Sequence, residues 1–268
     1  MNRSKGLIAT AVVAVALLAA ALLWRGSGDN APRLDIAGHP APLPRAGAEA
    51  ELVLPEALET ARAQARRLGV RAFVVHRRGH RIFEHFAHGA SGASLVDGGE
   101  LAGVLLALAL HRPEDDAADA AQAAKLVSER LWQPLRAQDA RLLDRGGGPR
   151  RCCVEARLDD WMRVGDLLAG TGAYLGERIV SADAVRQVLS RQQASSQGDE
   201  PFLARDGTAF DLGGGARLWL APRRALVMLV WADGEVALDT LLPNIVLRGL
   251  NDVSPAIGGD ISDLVPGH

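Results

Sequence analysis

Two carboxylic acids, Asp97 and Glu100, introduce the apolar run in the stretch "SLVDGGELAGVLLALAL". Three positions on a helix place both side chains on one face. An aspartate can attack carbon in some reactions, but beside a second carboxylate it is a poor acyl-transfer nucleophile. The same Asp-x-x-Glu spacing is a capping box, in which Asp97 accepts a helix N–H, Glu100 reaches back, and both charges favour the helix dipole. The spacing therefore predicts a helix cap, with a carboxylate active site as the alternative.

Serines just before this run offer a second kind of chemistry. Ser91 and Ser94 lie in the preceding loop, and His88 is close enough in sequence to act as their general base. A catalytic serine needs a base that a third group orients, and the sequence identifies no acidic partner. The pattern favours ordinary loop serines, and a displaced nucleophile is the alternative.

The hairpin region adds three more histidines, which with His88 make a candidate metal site. His76 and His80 flank a predicted turn, and His85 follows on the same strand. Imidazole is a common zinc ligand, but no carboxylate stands at ligand spacing. We expect solvated strand residues rather than a metal site.

The chain has two cysteines, and they are adjacent: Cys152 and Cys153. Neighbouring cysteines can bond only through a strained ring, because disulfide geometry requires separated Cα atoms. A zinc site of the paired-cysteine type needs a second pair, which is absent from the sequence. The pair is interpreted as two small buried residues, and no metal or other cofactor is expected.

Hydrophobic spacing and turn signals indicate the elements that must position these residues. The pattern predicts helices in "LPEALETARAQARRLGV", from about Glu100 to His111, in "EARLDDWMRVGDLLAG" and in "VALDTLLPNIVLRGL". It predicts strand pairs in "RAFVVHRRGHRIFEHF" and "ARLWLAPRRALVMLVWAD", and glycines 213–215 indicate a bulge or a close backbone approach. The order of elements predicts an α+β fold, an antiparallel sheet flanked by helices.

Several segments together resemble the β-lactamase-related serine hydrolases, a group that takes in class C β-lactamases, penicillin-binding-protein-like esterases and 6-aminohexanoate-dimer hydrolases. The segments "ERLWQPL", the "CC" pair, "DDWMRVGDLL" and "GERIVSAD" follow one another in the order typical of that family. The hairpin stretch resembles the family's first two strands, and "GGGARLWLAPRRALVMLVW" resembles its last two. The resemblance extends over most of residues 52–250 and implies a β-lactamase/transpeptidase-like fold.

The chemistry that this resemblance implies is missing at each of its motifs. The Ser-x-x-Lys pair of the family falls on Asp97 and Glu100, and its Tyr-x-Asn belongs in the interval 111–127, which holds neither residue. The Lys-Thr-Gly or His-x-Gly motif falls near "FDLGGG", on the degenerate positions Asp211, Gly213 and Gly214. The sole tyrosine, Tyr174, falls where the family carries no catalytic group. The short interval also implies that most of the helical region roofing the family's pocket is missing.

Three lost motifs favour a domain that is catalytically inactive and acts in binding or as a scaffold. Its expected partners are an envelope protein or a cell-wall fragment. The alternative is an amide or ester hydrolase with relocated catalytic residues. The formal net charge of -2 gives no electrostatic footprint for nucleic acid.

The N-terminus predicts a membrane segment. Arg3 and Lys5 precede an uncharged apolar run, Leu7–Trp24, of about 18 residues, just long enough to span a bilayer. The charge distribution favours a single-pass anchor in the inner membrane with the globular part in the periplasm, and a signal peptide cleaved near Ala19 is the alternative. We expect an anchor over 1–25, a flexible linker over 26–50, the domain over 51–251 and a loose tail over 252–268.

Overall fold

Two antiparallel sheets frame the domain in the computed structural model, which describes residues 32–111, 115, 118–144, 153–195, 204, 207–234 and 240–251. The strands are β1 (Arg33–Ile36), β2 (Ala72–Arg77), β3 (His80–Phe86), β4 (Leu95–Asp97), β5 (Ala140–Leu143), β6 (Cys153–Arg157), β7 (Ala173–Tyr174), β8 (Glu177–Arg178), β9 (Thr208–Leu212), β10 (Ala216–Ala221) and β11 (Leu226–Trp231). The helices are α1 (Pro55–Arg67), α2 (Gly99–Ala109), α3 (Ala120–Val127), α4 (Leu158–Ala169), α5 (Ala182–Ser195) and α6 (Leu241–Arg248). The predicted α+β fold with antiparallel sheets is confirmed.

The larger sheet has the strand order β3-β2-β11-β10-β9. Its central strands β2 and β11 are buried along their whole length, because helices cover both faces. Successive residues therefore alternate between two cores: Val74 packs towards α2 and α4, whereas Phe73 packs towards α1 and α6. The predicted hairpin is present, and Arg78 and Gly79 both take positive φ in its two-residue turn.

The smaller sheet has the order β1-β5-β6-β4 and packs beside α2 and α3. One face of each strand enters the core through Ile36, Leu142, Val154 and Val96, whereas the other face points to solvent. Buried and exposed positions therefore alternate along these strands, as is typical of an antiparallel sheet with one face on the core and the other in water.

The linker expected over residues 26–50 is corrected from residue 33 onward. Residues 33–36 form β1, which pairs with β5, so they belong to the domain. The following backbone is also bonded: the Ala37 N–H donates to the Ser128 hydroxyl over 2.9 Å, and the Gly38 N–H donates to the Asp139 carboxylate over 2.8 Å. Proline, glycine and alanine composition suggested a tether, but strand pairing with a distant segment orders this stretch.

The predicted anchor 1–25, the predicted tail 252–268 and Cys152 lie outside the residues that the structure describes. Within the residues it does describe, no helix combines the length and the apolar composition that crossing a membrane requires. Cys153 is half-buried at the start of β6.

Candidate functional site

Helix α2 begins directly after β4, an edge strand of the smaller sheet. Asp97 ends β4 opposite Glu155 of β6, and the Gly98 N–H donates to the Val154 carbonyl over 2.8 Å. One carboxylate oxygen of Asp97 then accepts the Gly99 N–H over 2.9 Å. Asp97 therefore accepts the N–H of the first residue of α2, but Gly98 is the N-cap residue and makes no side-chain capping hydrogen bond, so Asp97 is not the predicted N-cap.

Glu100 does not complete the predicted capping box. Its carboxylate accepts the backbone N–H of Asp211 over 2.9 Å and an amide N–H of Gln192 over 2.8 Å. The reason is the closeness of β9, since a Cβ placed on Gly99 would lie 2.3 Å from the Asp211 carbonyl oxygen. Glu100 therefore ties α2 to β9 and α5, a long-range role that the local sequence did not indicate.

The glycine run after β9 closes this corner from the other side. A Cβ on Gly213 would lie 2.6 Å from the Asp97 Cβ, and Gly214 takes a φ of +71°. The predicted close backbone approach is therefore present. Asp211 accepts a hydrogen bond from the Arg217 guanidinium over 2.6 Å. We call Asp97, Glu100, Gln192, Asp211 and Gly213 the α2 corner.

The α2 corner contains carboxylates, an amide and backbone N–H groups. None of its side chains carries a hydroxyl, thiol or amine, so acyl transfer by a serine activated by a lysine has no atoms to use there. The carboxylates of Asp97 and Glu100 accept backbone N–H groups, and the Asp211 carboxylate accepts the Arg217 guanidinium. The arrangement is that of a helix start fastened to a neighbouring strand.

The displaced serines are not assembled with their proposed base. The Ser94 hydroxyl accepts the Ser91 N–H over 3.0 Å, and the Ser94 carbonyl accepts the Leu158 N–H over 2.9 Å. His88 is exposed at a φ of +54° in the turn after β3. No hydrogen bond joins His88 to either serine in the described segment 80–111, so the structure gives a tight serine turn there.

The histidines were expected to be solvated, and this expectation is wrong for His76 and His85. His76 has no exposed surface and His85 is 8% exposed. A bulge between Val75 and His76 shifts the register of the hairpin, so Arg81 lies opposite His76 and on its side of the sheet. That shift gives the buried His76 imidazole polar neighbours instead of water.

His76 meets a buried carboxylate on α4. Its Nδ1 atom lies 2.8 Å from an Asp166 carboxylate oxygen, with both side chains almost fully buried. Arg81, which is 5% exposed, donates towards the other ring nitrogen over 3.5 Å and pairs with Asp159 at the start of α4. The bulge thus places the His76 imidazole and the Arg81 guanidinium beside two carboxylates of α4.

A second buried pair lies on the next turn of α4. Arg163 contacts Asp160 over 3.5 Å, and it donates hydrogen bonds to the Tyr174 hydroxyl and to the carbonyls of Leu135 and Ala41. Burial raises the pKa of Asp160 to about 6 against the opposing effects of the Gln138 N–H and Arg163, and burial likewise raises the pKa of Tyr174. The α4 cluster is defined as Asp159, Asp160, Arg163, Asp166, His76 and Arg81.

The other two histidines of the hairpin region have separate surroundings. His80 lies 3.0 Å from Glu51, and burial together with Arg62 and Arg66 lowers the pKa of His85. No group of three or more metal-ligating side chains occurs in the described part of the chain. The sequence had no signal for the α4 cluster, because its partners are up to 90 residues apart.

A groove on the solvent face of the smaller sheet was also missed. Its volume is about 540 Å³, and it is lined by Asp35, Ala37, Leu95, Asp139, Ala140, Arg141, Glu155 and Arg157. In β6 the charged residues Glu155 and Arg157 are separated by the apolar Ala156, and this alternation is the signal from which an outward charged face could be inferred.

Known structures share this architecture, although no protein-family model and no curated protein matches the sequence. A protein from Bacillus anthracis named a putative 6-aminohexanoate-dimer hydrolase superposes with a TM-score of 0.54 at 10% identity, covering 88% of this chain and 92% of that one. The chain has a β-lactamase/transpeptidase-like fold.

Two further structures with a β-lactamase-like fold are similar at lower scores. A putative β-lactamase from Bacteroides dorei has a TM-score of 0.48 at 12% identity, covering 73% of this chain and 98% of that one. EstCE1, a hydrolase with promiscuous acyltransferase activity, has a TM-score of 0.49 at 10% identity, covering 76% and 100%. The α2 corner lies at the start of the helix on which the sequence resemblance implies the nucleophile.

Proposed function

We propose that this chain is a membrane-tethered periplasmic domain that binds a ligand or partner and does not perform the acyl transfer of its structural relatives. One observation carries the proposal. At the position of the serine and lysine stand Asp97 and Glu100, and both carboxylates accept backbone N–H groups, from Gly99 and Asp211. A nucleophile and its base would need free lone pairs and a transferable proton at this place.

The packing around Asp97 supports the same proposal. The backbone at Gly213 lies against the Asp97 side chain, so a substrate carbonyl has little room beside the start of α2. Only ten residues, 110–119, join α2 to α3. That interval is too short for a helical lid over a catalytic pocket.

The membrane part of the proposal rests on the sequence alone. Arg3 and Lys5 before the apolar run Leu7–Trp24 favour insertion with the domain on the far side of the membrane. Fractionation after carbonate extraction tests this: we expect the full chain in the membrane pellet at its uncleaved mass. A soluble product shortened near Ala19 would instead support a cleaved signal peptide.

The proposed lack of acyl-transfer activity is tested by trapping a nucleophile. The full chain in detergent is exposed to a fluorophosphonate and to a penicillin, with a heat-denatured sample as control, and intact mass is measured. We expect no adduct that depends on the fold. An adduct on the folded protein that Ser94→Ala or Ser91→Ala abolishes would establish the alternative, a hydrolase with relocated residues, and would overturn the proposal.

A further inference from the structure

The groove on the smaller sheet carries charges of both signs in a single row. Asp35, Arg141 and Glu155 stand directly opposite one another on β1, β5 and β6, and Asp97 continues the row on β4. All four are on the outward face of their strands, because their sequence neighbours enter the core. The groove therefore presents Arg141 to solvent between two acidic side chains, Asp35 and Glu155.

The side chains of Asp35, Arg141 and Glu155 stand opposite one another without forming ion pairs. Opposite charges in directly opposed strand positions usually pair. Here no ion pair or hydrogen bond engages the side chains of Asp35, Arg141 or Glu155 in the described part of the chain. This differs from the α2 corner next to it, where Asp97 and Glu100 are both engaged. An arginine and two carboxylates in a concave surface are available to a ligand that carries both charges.

We propose that this groove binds the headgroup of a zwitterionic phospholipid with a primary ammonium group. A phosphodiester suits the guanidinium groups of Arg141 and Arg157, which present several donors to oxygen anions. A primary ammonium has three N–H donors for Glu155 and Asp35. Leu95, 54% exposed in the groove, offers an apolar contact to the glycerol and acyl region.

The length of chain before β1 favours a lipid over a peptide as the occupant. This argument rests on the tether of the proposed function. Eight residues separate Trp24 from Arg33, where β1 begins. Such a linker reaches at most about 28 Å, with a root-mean-square span of about 16 Å if it is flexible. Asp35 of the groove lies on β1 itself, so the groove stays within reach of the bilayer. The tether raises the effective concentration of lipid headgroups at the groove, so even a weak site is sufficient for the groove to be occupied.

Soluble headgroups test the site without requiring membrane insertion. The full chain in maltoside micelles is titrated with glycerophosphoethanolamine, and binding is followed by saturation-transfer NMR on the ligand. Glycerophosphocholine, glycerol 3-phosphate, ethanolamine and the dipeptide alanyl-alanine are titrated in parallel. We expect glycerophosphoethanolamine to bind at least fivefold more tightly than each of these, because only it combines a phosphodiester with an ammonium N–H.

Variants locate the binding. Arg141→Gln and Glu155→Gln are each expected to weaken glycerophosphoethanolamine at least fivefold. Arg66→Gln is the matched control, since Arg66 is exposed on α1 across the larger sheet, and it is expected to change affinity less than twofold. Circular dichroism checks that each variant is folded.

Three results would overturn the headgroup site: no saturable binding, binding that both groove variants leave unchanged, or tighter binding of alanyl-alanine, which would assign the groove to peptides. The proposed membrane anchor is tested separately from the headgroup site. A chain that fails to fractionate with membranes, yet binds glycerophosphoethanolamine through Arg141, would lose the proposed anchor and keep the site.

Discussion

The α4 cluster and the α2 corner both contain carboxylates beside a helix, but these carboxylates differ in their burial and in their hydrogen bonding. In the α4 cluster Asp160 and Asp166 are buried, each retains a buried carboxylate oxygen with no hydrogen-bond partner, and the pKa of Asp160 is raised. In the α2 corner the Glu100 carboxylate is exposed and accepts two N–H groups. Within the described residues, the buried and incompletely bonded carboxylates therefore lie in the core and not at the start of α2, where the sequence resemblance implies the nucleophile.

This distribution has a meaning for function. Enzymes concentrate shifted pKa values and incompletely bonded polar groups at the active site, where those groups react. In this chain such groups hold the first hairpin and the segment around Ala41 against α4. We interpret the α4 cluster as structural and the α2 corner as a fastened helix start, so the two regions should respond differently to substitution.

The largest effect is expected from Asp166→Ala. It leaves the fully buried His76 imidazole without its acceptor, and removing one partner of such a pair lowers the free energy of unfolding by about 3 kcal/mol. Asp166→Asn keeps an acceptor oxygen and is expected to cost less than half as much. Urea denaturation followed by tryptophan fluorescence measures both. Equal losses would mean that charge, not the hydrogen bond, governs the pair.

The pH dependence of stability should depend on Asp160. Because burial raises its folded pKa to about 6 from 3.8, the unfolded chain releases this proton first. Stability contributed by the protonated acid is therefore complete below about pH 4 and is lost as the pH rises to about 6, by up to about 3 kcal/mol.

Asp160→Asn removes this titration and keeps the oxygen that accepts the Gln138 N–H. Denaturation of both proteins at several pH values should show the variant gaining on the native chain between pH 4 and 6.5. A constant difference would indicate that Arg163 stabilises the Asp160 carboxylate enough to offset its burial.

The smallest effect is expected at the α2 corner. Glu100→Ala releases the Asp211 N–H and the Gln192 amide to water, because the site is exposed, and should lower the free energy of unfolding by about 1 kcal/mol. Glu100→Gln keeps an acceptor and should lose less. A loss above that of Asp166→Ala would reverse the contrast between the two regions.

Much of the fold was predictable because its signals are local. Helical spacing predicted α1, α4 and α6, and alternating runs around Arg78 and Gly79 and around 222–224 predicted the two hairpins. The resemblance supplied the order of the segments. β1 was missed because nothing within its own four residues indicates pairing with a partner some hundred positions away.

In the candidate site too, local contacts were predictable from the sequence and long-range contacts were not. The hydrogen bond from the Gly99 N–H to Asp97 was predictable, since its acceptor and donor are two residues apart, although the N-cap residue is Gly98 and not Asp97. Glu100 was assigned to the same cap, yet its donors come from β9 and α5, which only tertiary packing brings near. The burial of His76 had no sequence signal either, because it depends on a bulge whose effect is to turn Arg81 inward.

The pairing of β1 with β5 also affects how the chain folds during its synthesis. β1 leaves the ribosome first, and its partner β5 follows about a hundred residues later. At synthesis rates of about 5 to 20 residues per second, β1 waits roughly 5 to 20 seconds for the strand that shelters Ile36. During that interval β1 has no strand partner. The smaller sheet can close once β6 has been synthesised, whereas the larger sheet must wait for β9, β10 and β11.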